Sequence, residues 1–391
     1  MDKICVLLNG PVNNDHRVIK IINTLSKKHM IHLFYVNGKV EDQLLFNDQV
    51  ELYSIEHKKS LKTKLVQHSF FWREFIFFIP AVLKKGILYN TIWCNDFPTL
   101  LPAHKIANKL KASLIYDSHE IYLETLNQFF PVKTSFMKSI VFKISLGLMK
   151  TFGKLTEQRL IVKADHIITV NESLANYFKN TYGVKRVNVI MNFPPTKELD
   201  PEKFIDFKAI FSFEKNDKIL IYQGVLNRGR GLALIINTIK NIPENFKLII
   251  LGNGPLKPQL INLTNDLKLN NQVKFIDKVP INDLLNYTSG ADYGLNILED
   301  YNLSKKLASP NKLFEYIHAG IPVICSKSIE NAKVINKYEI GEMVINNEKD
   351  LAETIQSLSK SNTDKYKLAC SQASKEYNWE RQEASILNLV K

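Results

Sequence analysis

The feature that most constrains this chain is a grammar of short, wholly apolar runs separated by stretches of helical period, which is stated once, broken and then restarted. In the first half the runs are Ile4 to Leu8, Ile31 to Val36, Val50 to Ile55, Thr91 to Cys94, Ser113 to Tyr116, His166 to Val170 and Val187 to Met191. Helical stretches such as Val18 to Lys28 and Leu100 to Leu110 lie between them. A strand that is apolar throughout has to be covered on both faces, and strands that alternate with helices build parallel sheets. After Phe193-Pro194-Pro195 the grammar resumes with Ile219 to Gln223, Lys247 to Gly252, Val273 to Ile276, Ala291 to Leu295 and Ile321 to Cys325. The Pro-Pro pair and the charged stretch from Lys197 to Lys203 predict a domain boundary near residue 195. The expected class is therefore α/β, with two parallel sheets, each with its own core.

Open parallel sheets take ligands just outside the carboxyl ends of their strands, so the polar residues that follow each run are the ones to inspect. Gly10 follows the first run alone, where a dinucleotide site would need GxGxxG, and that argues against a nicotinamide or flavin enzyme. Asn13, Asn14, Asp15, His16 and Arg17 crowd the next helix start, a pattern equally suited to a cleft and to a capped, solvated first turn. Asn95-Asp96 and Asp117-Ser118-His119-Glu120 follow two further runs. Asp117 and Glu120 also fit a helix-start signature, whereas His119 suits proton sharing or donation to a substrate oxygen.

In the second half Gly224 ends a strand and Asn227-Arg228-Gly229-Arg230-Gly231 leads into a helix. Glycines let backbone approach a ligand, and arginines at a helix entrance suit a diphosphate better than they suit the helix dipole. Gly252-Asn253-Gly254-Pro255 is a second, less specific glycine exit. The stretch Ala308 to Ser326, ASPNKLFEYIHAGIPVICS, places Pro310 at a helix start, Gly320 at its end and a buried strand after it. The unpaired amides of that helix start, with Asn311 and Lys312 beside them, can hold an anion, and Glu315 one turn on can accept from hydroxyls. Read alone, the stretch is equally an ordinary capped helix.

The net charge is +13, and residues 1–200 carry 27 basic against 17 acidic side chains while residues 201–391 carry 25 against 22. A basic first half suits nucleic acid, an anionic membrane surface or a phosphorylated substrate. The excess gathers in two segments mixed with aromatics, residues 58–85 and residues 132–163. Such segments lie on anionic lipid or pack on a sheet by their aromatic faces. Cys5, Cys94, Cys325 and Cys370 form no CxxC pair, the N-terminal run ICVLLN is too short for a secretory signal, and no run of eighteen apolar residues occurs. A cytoplasmic protein with reduced thiols is expected. Without Asp-x-Asp or a His/Cys cluster of ligand spacing, no metal is expected.

Together the stretches NNDHRVIKIINTL, IYDSHE, ADHIITVNES, VNVIMNFP, IYQGVLNRGRGL, LIILGNGP, ADYGLNIL, SPNKLFEYIHAGIPVI and YNWERQE resemble the family 4 retaining glycosyltransferases of GT-B architecture, of the bacterial surface-polysaccharide type. The resemblance implies two Rossmann-like domains facing across a cleft. Residues 1–195 would hold the acceptor and residues 196–371 a nucleotide-sugar donor, with a last helix, 372–391, crossing back near Trp379. It implies Arg230 on the donor diphosphate, Glu315 on the ribose hydroxyls and His119 beside the transferred sugar, these three forming the catalytic set. Gly10, Gly224, Arg228, Gly252, Gly254, Pro310, Asn311, Lys312 and Leu313 complete the donor side, and Asn13, Asn14, Arg17 and Asp96 join His119 on the acceptor side. Two positions depart from the family pattern. Leu307 stands where a first, sugar-binding glutamate is common, and Val225 where an arginine usually follows the strand glycine, with Arg228 a candidate to replace it.

The implied activity is transfer of a sugar, with retention, from a nucleotide diphosphate to a saccharide acceptor on a lipid carrier, at an anionic membrane surface, without cofactor or nucleic acid. A nucleotide-sugar 2-epimerase of the same architecture and a non-catalytic sugar-nucleotide-binding partner are the alternatives.

Overall fold

A computed structural model describes residues 1–56, 75–126, 136–197, 200–299, 302–309, 311–360 and 363–390. The chain forms two compact units, Met1–Met191 with Gln382–Lys391, and Asn192–Arg381.

The first unit is built on seven strands: β1 (Lys3–Leu8), β2 (Met30–Val36), β3 (Val50–Ile55), β4 (Thr91–Asn95), β5 (Ser113–Ser118), β6 (His166–Thr169) and β7 (Asn188–Val189). Their order is β3-β2-β1-β4-β5-β6-β7, and every pairing is parallel. The chain winds outward in one direction from β1 and in the other from β4, which leaves a switch point between those two strands. β1 and β4 are buried almost end to end, as strands covered on both faces must be. The helix expected from Val18 spans His16–Leu25, because Asp15 caps it by accepting from the Val18 amide. The helix expected from Leu100 begins at Asp96, directly off β4, with Asp96 itself at φ +59.

The second unit holds six parallel strands, β8 (Lys218–Gln223), β9 (Phe246–Leu251), β10 (Val273–Ile276), β11 (Tyr293–Asn296), β12 (Val323–Ser326) and β13 (Gly341–Val344). Their order is β10-β9-β8-β11-β12-β13, with a switch point between β8 and β11. β13 is absent from the sequence expectation because Glu342 interrupts its apolar run; it is an edge strand, and that side chain is exposed. β8 and β11 pair over only Tyr293 with Leu220 and Gly294 with Ile221. Beyond that, the Tyr316 hydroxyl joins them, donating to Leu295 O (3.1 Å) or Ile221 O (3.3 Å) and lying 3.4 Å from the Gln223 amide. A Cβ on Gly294 would lie 2.4 Å from the Tyr316 ring, so the strand glycine makes the room.

The Pro-Pro segment is packed rather than a free spacer. Phe193 lies against Phe314 and Tyr377, with ring centroids 4.7 and 5.3 Å away, and Pro194 O accepts from the Trp379 amide. From Gln382 the chain belongs to the first unit, where Glu383 pairs with Lys27 at 2.6 Å and Gln382 accepts from the Met191 amide.

Residues 58–74 of the first basic aromatic segment and 132–135 of the second lie outside the described residues. In what remains, Phe78 is buried, Phe75 and Phe77 pack against the first core, and Lys84 and Lys85 are exposed. The second segment contains a helix, Phe136–Ile161. No helix among the described residues is long and apolar enough to cross a membrane.

Gly252 sits at φ +145, and a Cβ there would lie 2.0 Å from Gly224 O, whereas a Cβ on Gly10, at φ +147, would meet nothing within 4 Å. Gly252→Ala combines backbone strain with collision and should lower stability by roughly 2 kcal/mol or more. Gly10→Ala carries strain alone and should cost about 1 kcal/mol. Urea unfolding of the two variants measures the difference.

Candidate functional site

The switch point of the second sheet has a group of polar residues around it. Gln223 ends β8 and is buried; its amide nitrogen donates to Glu315 Oε2 at 2.6 Å while its oxygen accepts from Thr288 Oγ1 at 2.6 Å. The Glu315 carboxylate, which can only accept, fixes which way the Gln223 amide faces, and Gln223 in turn holds one oxygen of that half-buried side chain. Glu315 lies in the helix Asn311–His318, whose N-terminal amides are unpaired within the helix. Lys312, second in that helix, is only 7% exposed. Arg230 is half-buried in the loop after β8, and its Nε donates to Asn227 Oδ1 at 3.4 Å.

Two glycine loops are fused backbone to backbone beside this group. The Gly224 amide donates to Leu251 O, the Leu226 amide to Asn253 O and the Leu256 amide to Leu226 O. A Cβ on Gly254 would lie 2.4 Å from Leu226 O, so both Gly252 and Gly254 are required by this packing. Their importance is structural first: they set the path of the Gly224 loop.

The first unit has a separate polar cluster at its own switch point. Arg17, 3% exposed, donates to both Asp117 oxygens (3.0 and 3.4 Å) and to Ile190 O (2.6 Å). Asp117 is fully buried at the end of β5, so it is an ion-pair partner and not a helix cap. His119 lies between two carboxylates: Nε2 is 3.4 Å from Asp117, Nδ1 is 3.5 Å from Asp96, and its amide donates to Asp96 Oδ1 at 3.0 Å. Burial opposes a charge on His119, but Asp96 and Asp117 outweigh it and push its pKa up to about 9. Burial would raise Asp117 as well, yet Arg17 and His119 hold it well below the ordinary carboxylate range. Burial moves Asp96 up to about 6 despite His119. The ring is therefore an imidazolium at neutral pH, able to donate and not to accept.

Of the residues singled out in the sequence, Gly224, Arg230, Lys312 and Glu315 come together in the second unit, Leu313 is buried on the same helix as Lys312, and Asn311 is exposed at the helix start. Pro310 lies outside the described residues. Arg228 and Val225 are exposed, and Leu307 follows the short helix Leu303–Lys306. In the first unit Asp96, His119 and Arg17 form one cluster, Asn14 is exposed, and Asn13 Oδ1 is buried without a partner among the described residues. Gln223, Thr288 and Tyr316 went unrecognised, as did Asn296, which ends β11 fully buried with neither amide atom partnered among the described residues. Gln223 and Asn296 carried one available signal: each is the polar last residue of an apolar strand beside a switch point.

Residues 204–377 match the family model of the glycosyl transferases group 1. The chain is 23% identical over 264 residues to the N-acetylgalactosamine-N,N'-diacetylbacillosaminyl-diphospho-undecaprenol 4-alpha-N-acetylgalactosaminyltransferase of Campylobacter jejuni, covering 66% of this chain and 63% of that protein. It is 21% identical over 318 residues to the O-antigen biosynthesis glycosyltransferase WclY of Escherichia coli, covering 79% of this chain and 75% of that one. Its fold is like that of Anabaena Alr3699/HepE, crystallised with UDP and glucose (TM-score 0.71, 14% identity, 100% of this chain and 99% of that one). It is also like that of WaaG, a glycosyltransferase involved in lipopolysaccharide biosynthesis (TM-score 0.67, 12% identity, 100% of both). The fold is GT-B, with two Rossmann-like parallel-sheet domains.

The raised His119 pKa makes a pH prediction. A group raised in the fold contributes stability that is full below its unfolded value, about 6.5, and is lost as pH rises through about 9. Asp96, with its own folded value near 6, has finished titrating over most of that window. Relative to His119→Gln, the wild type should lose on the order of 2–3 kcal/mol of stability between those limits, read from urea midpoints at stepped pH.

Proposed function

We propose that the whole chain is a group 1 glycosyltransferase that moves a sugar from a nucleotide diphosphate to a saccharide acceptor, with retention of anomeric configuration. The observation that carries the reading is the second switch point, where Arg230, a helix start and a Glu315 carboxylate oriented by Gln223 converge on one strand exit. The match of residues 204–377 to the family model supports it, since those residues contain all of these groups.

Cleavage of a sugar–phosphate bond develops negative charge on the leaving diphosphate. Arg230 and the amides of the helix Asn311–His318 are held in place before the reaction, so they stabilise that charge without reorganising. In this reading the chain's own cations serve the diphosphate and no metal is needed. Glu315, oriented by Gln223, accepts from the ribose hydroxyls. The leaving phosphate itself takes the acceptor's proton during same-face attack. The cationic His119 of the first unit is no general base; it donates to a sugar oxygen.

A lipid-linked acceptor, bacterial surface-polysaccharide assembly and a cytoplasmic membrane face complete the proposal. The name of the Campylobacter relative, with its diphospho-undecaprenol acceptor, supports the lipid carrier. A second support is the helix Phe136–Ile161, which exposes Ile144, Leu148, Phe152 and Leu155 at helical spacing, with Val162 just beyond, alongside exposed Lys143, Lys154, Arg159 and Lys163. Such a face suits an anionic interface, its apolar stripe entering and its cations remaining at the headgroups.

Release of UDP, GDP or ADP from the matching sugar nucleotide should depend on an added saccharide acceptor; conversion of the donor alone would favour the epimerase, and binding without turnover the non-catalytic partner. Arg230→Ala should cost transfer about tenfold or more, the loss of one charge-assisted phosphate contact. The protein should float with phosphatidylglycerol vesicles at low salt and separate from them at high salt, and the double variant Leu148→Ser/Phe152→Ser should float less.

A further inference from the structure

Lys312 is the most unusual cation among the described residues. It is 93% buried, yet its Nζ has no hydrogen-bond partner among the described residues. The ammonium sits 3.8 Å over the Tyr222 ring, and a Cβ built on Gly224 would lie 3.0 Å from Lys312 Cε and 3.7 Å from Nζ. The side chain therefore runs from the helix start to the backbone of Gly224, the residue just before Val225. Packing alone does not account for it. A methionine would fill the same space without desolvating a charge, and the Tyr222 face answers a cation but accepts none of its three N–H donors in the ordinary way.

We propose that Lys312 is the missing diphosphate cation of this chain: its Nζ donates to a diphosphate oxygen of a bound nucleoside diphosphate, replacing from the helix the arginine that Val225 lacks. The inference rests on reading the second unit as the donor site. Burial, contact with the glycine loop and a shared helix favour Lys312 over Arg228 for this role. Arg228 is exposed and its guanidinium costs nothing to leave in water, whereas Lys312 is buried, without a hydrogen-bond partner among the described residues, and held against the glycine loop. Lys312 also shares its helix with Glu315, so one rigid element presents both the phosphate cation and the hydroxyl acceptor.

The same geometry links binding to a proton. The charged groups around Nζ are Arg230 from the loop after β8, Glu315 on its own helix and Lys305 from the helix Leu303–Lys306, with the Tyr222 ring of β8 beneath it. Burial first, then Arg230 and Lys305, hold the amine well below its ordinary range, while Glu315 opposes them. An arriving diphosphate reverses the balance. Any fraction of the amine that is neutral in the free protein takes up a proton as the anion binds, and that uptake grows as pH rises.

Titration calorimetry of UDP, GDP and ADP, and of the corresponding nucleosides, tests this on the wild type, Lys312→Met and Lys312→Met/Val225→Arg, in buffers of different ionisation enthalpy at pH 8. The nucleoside diphosphate that binds the wild type should bind Lys312→Met about tenfold more weakly or worse, with nucleoside affinity little changed, which also shows the site still folded. Proton uptake should accompany binding in the wild type and vanish in Lys312→Met. Val225→Arg should restore affinity without restoring the uptake, since arginine is charged throughout. Equal diphosphate affinity in the wild type and Lys312→Met, or equal proton uptake, overturns the role of Lys312 while leaving the donor site in place. Failure of all three nucleoside diphosphates to bind the wild type overturns the donor-site reading itself, and this inference with it.

Discussion

The second unit depends on how two parallel strands are allowed to part. β8 and β11 share a ladder for two residue pairs and then diverge, and the Tyr316 hydroxyl takes over at the backbone of Ile221, Leu295 and Gln223. A phenolic oxygen is suited to that place because it both donates and accepts, so it can serve a carbonyl on one strand and an amide on the other. The ring reaches there only because position 294 is glycine. One interaction therefore opens the sheet, satisfies backbone groups that the opening would orphan, and anchors the helix whose first turns carry Lys312 and Glu315.

Around that wedge the polar groups are arranged in dependent pairs. Thr288 and Glu315 bond to the two ends of the Gln223 amide, and Gln223 orients Glu315. The fused glycine loops fix the backbone against which Lys312 lies. A carboxylate held in this way has its direction set by its neighbours within the fold. The first unit uses a different device. There Arg17 neutralises Asp117 inside the sheet end, and the pair of carboxylates at Asp117 and Asp96 keeps the His119 ring cationic between them. The ion pair also ties the helix His16–Leu25 to β5 and, through Ile190 O, to the chain just past β7, so the same residues hold the fold and set the charge of the site.

Much was legible in the order of residues. Wholly apolar runs alternating with helical stretches can satisfy their exposed faces in few ways, so the two parallel sheets and most of their strands followed directly. Only β13 escaped, because an edge strand tolerates an outward glutamate that breaks its apolar run. The strand exits followed too, since any open parallel sheet binds at its carboxyl ends. What the pattern could not give was partnership. Asp117 looked like a helix cap and is the buried mate of an arginine a hundred residues away. Arg228 looked like the replacement for the arginine absent at Val225, yet it lies in solvent while Lys312 lies against the Gly224 backbone.

The sequence by itself thus determined the class of fold, the strand ends where polar residues gather and the residue types present there. The tertiary structure decided which of those residues are desolvated and which have buried polar atoms that no described residue partners. The physical reason is that strand and helix periodicity is local and survives in the order of residues, whereas burial and charge pairing arise only when distant segments exclude water from one another. Lys312 is the plainest case: along the chain it is one of many lysines at a helix start, and in the fold it is a buried amine over Tyr222 whose donors no described residue accepts.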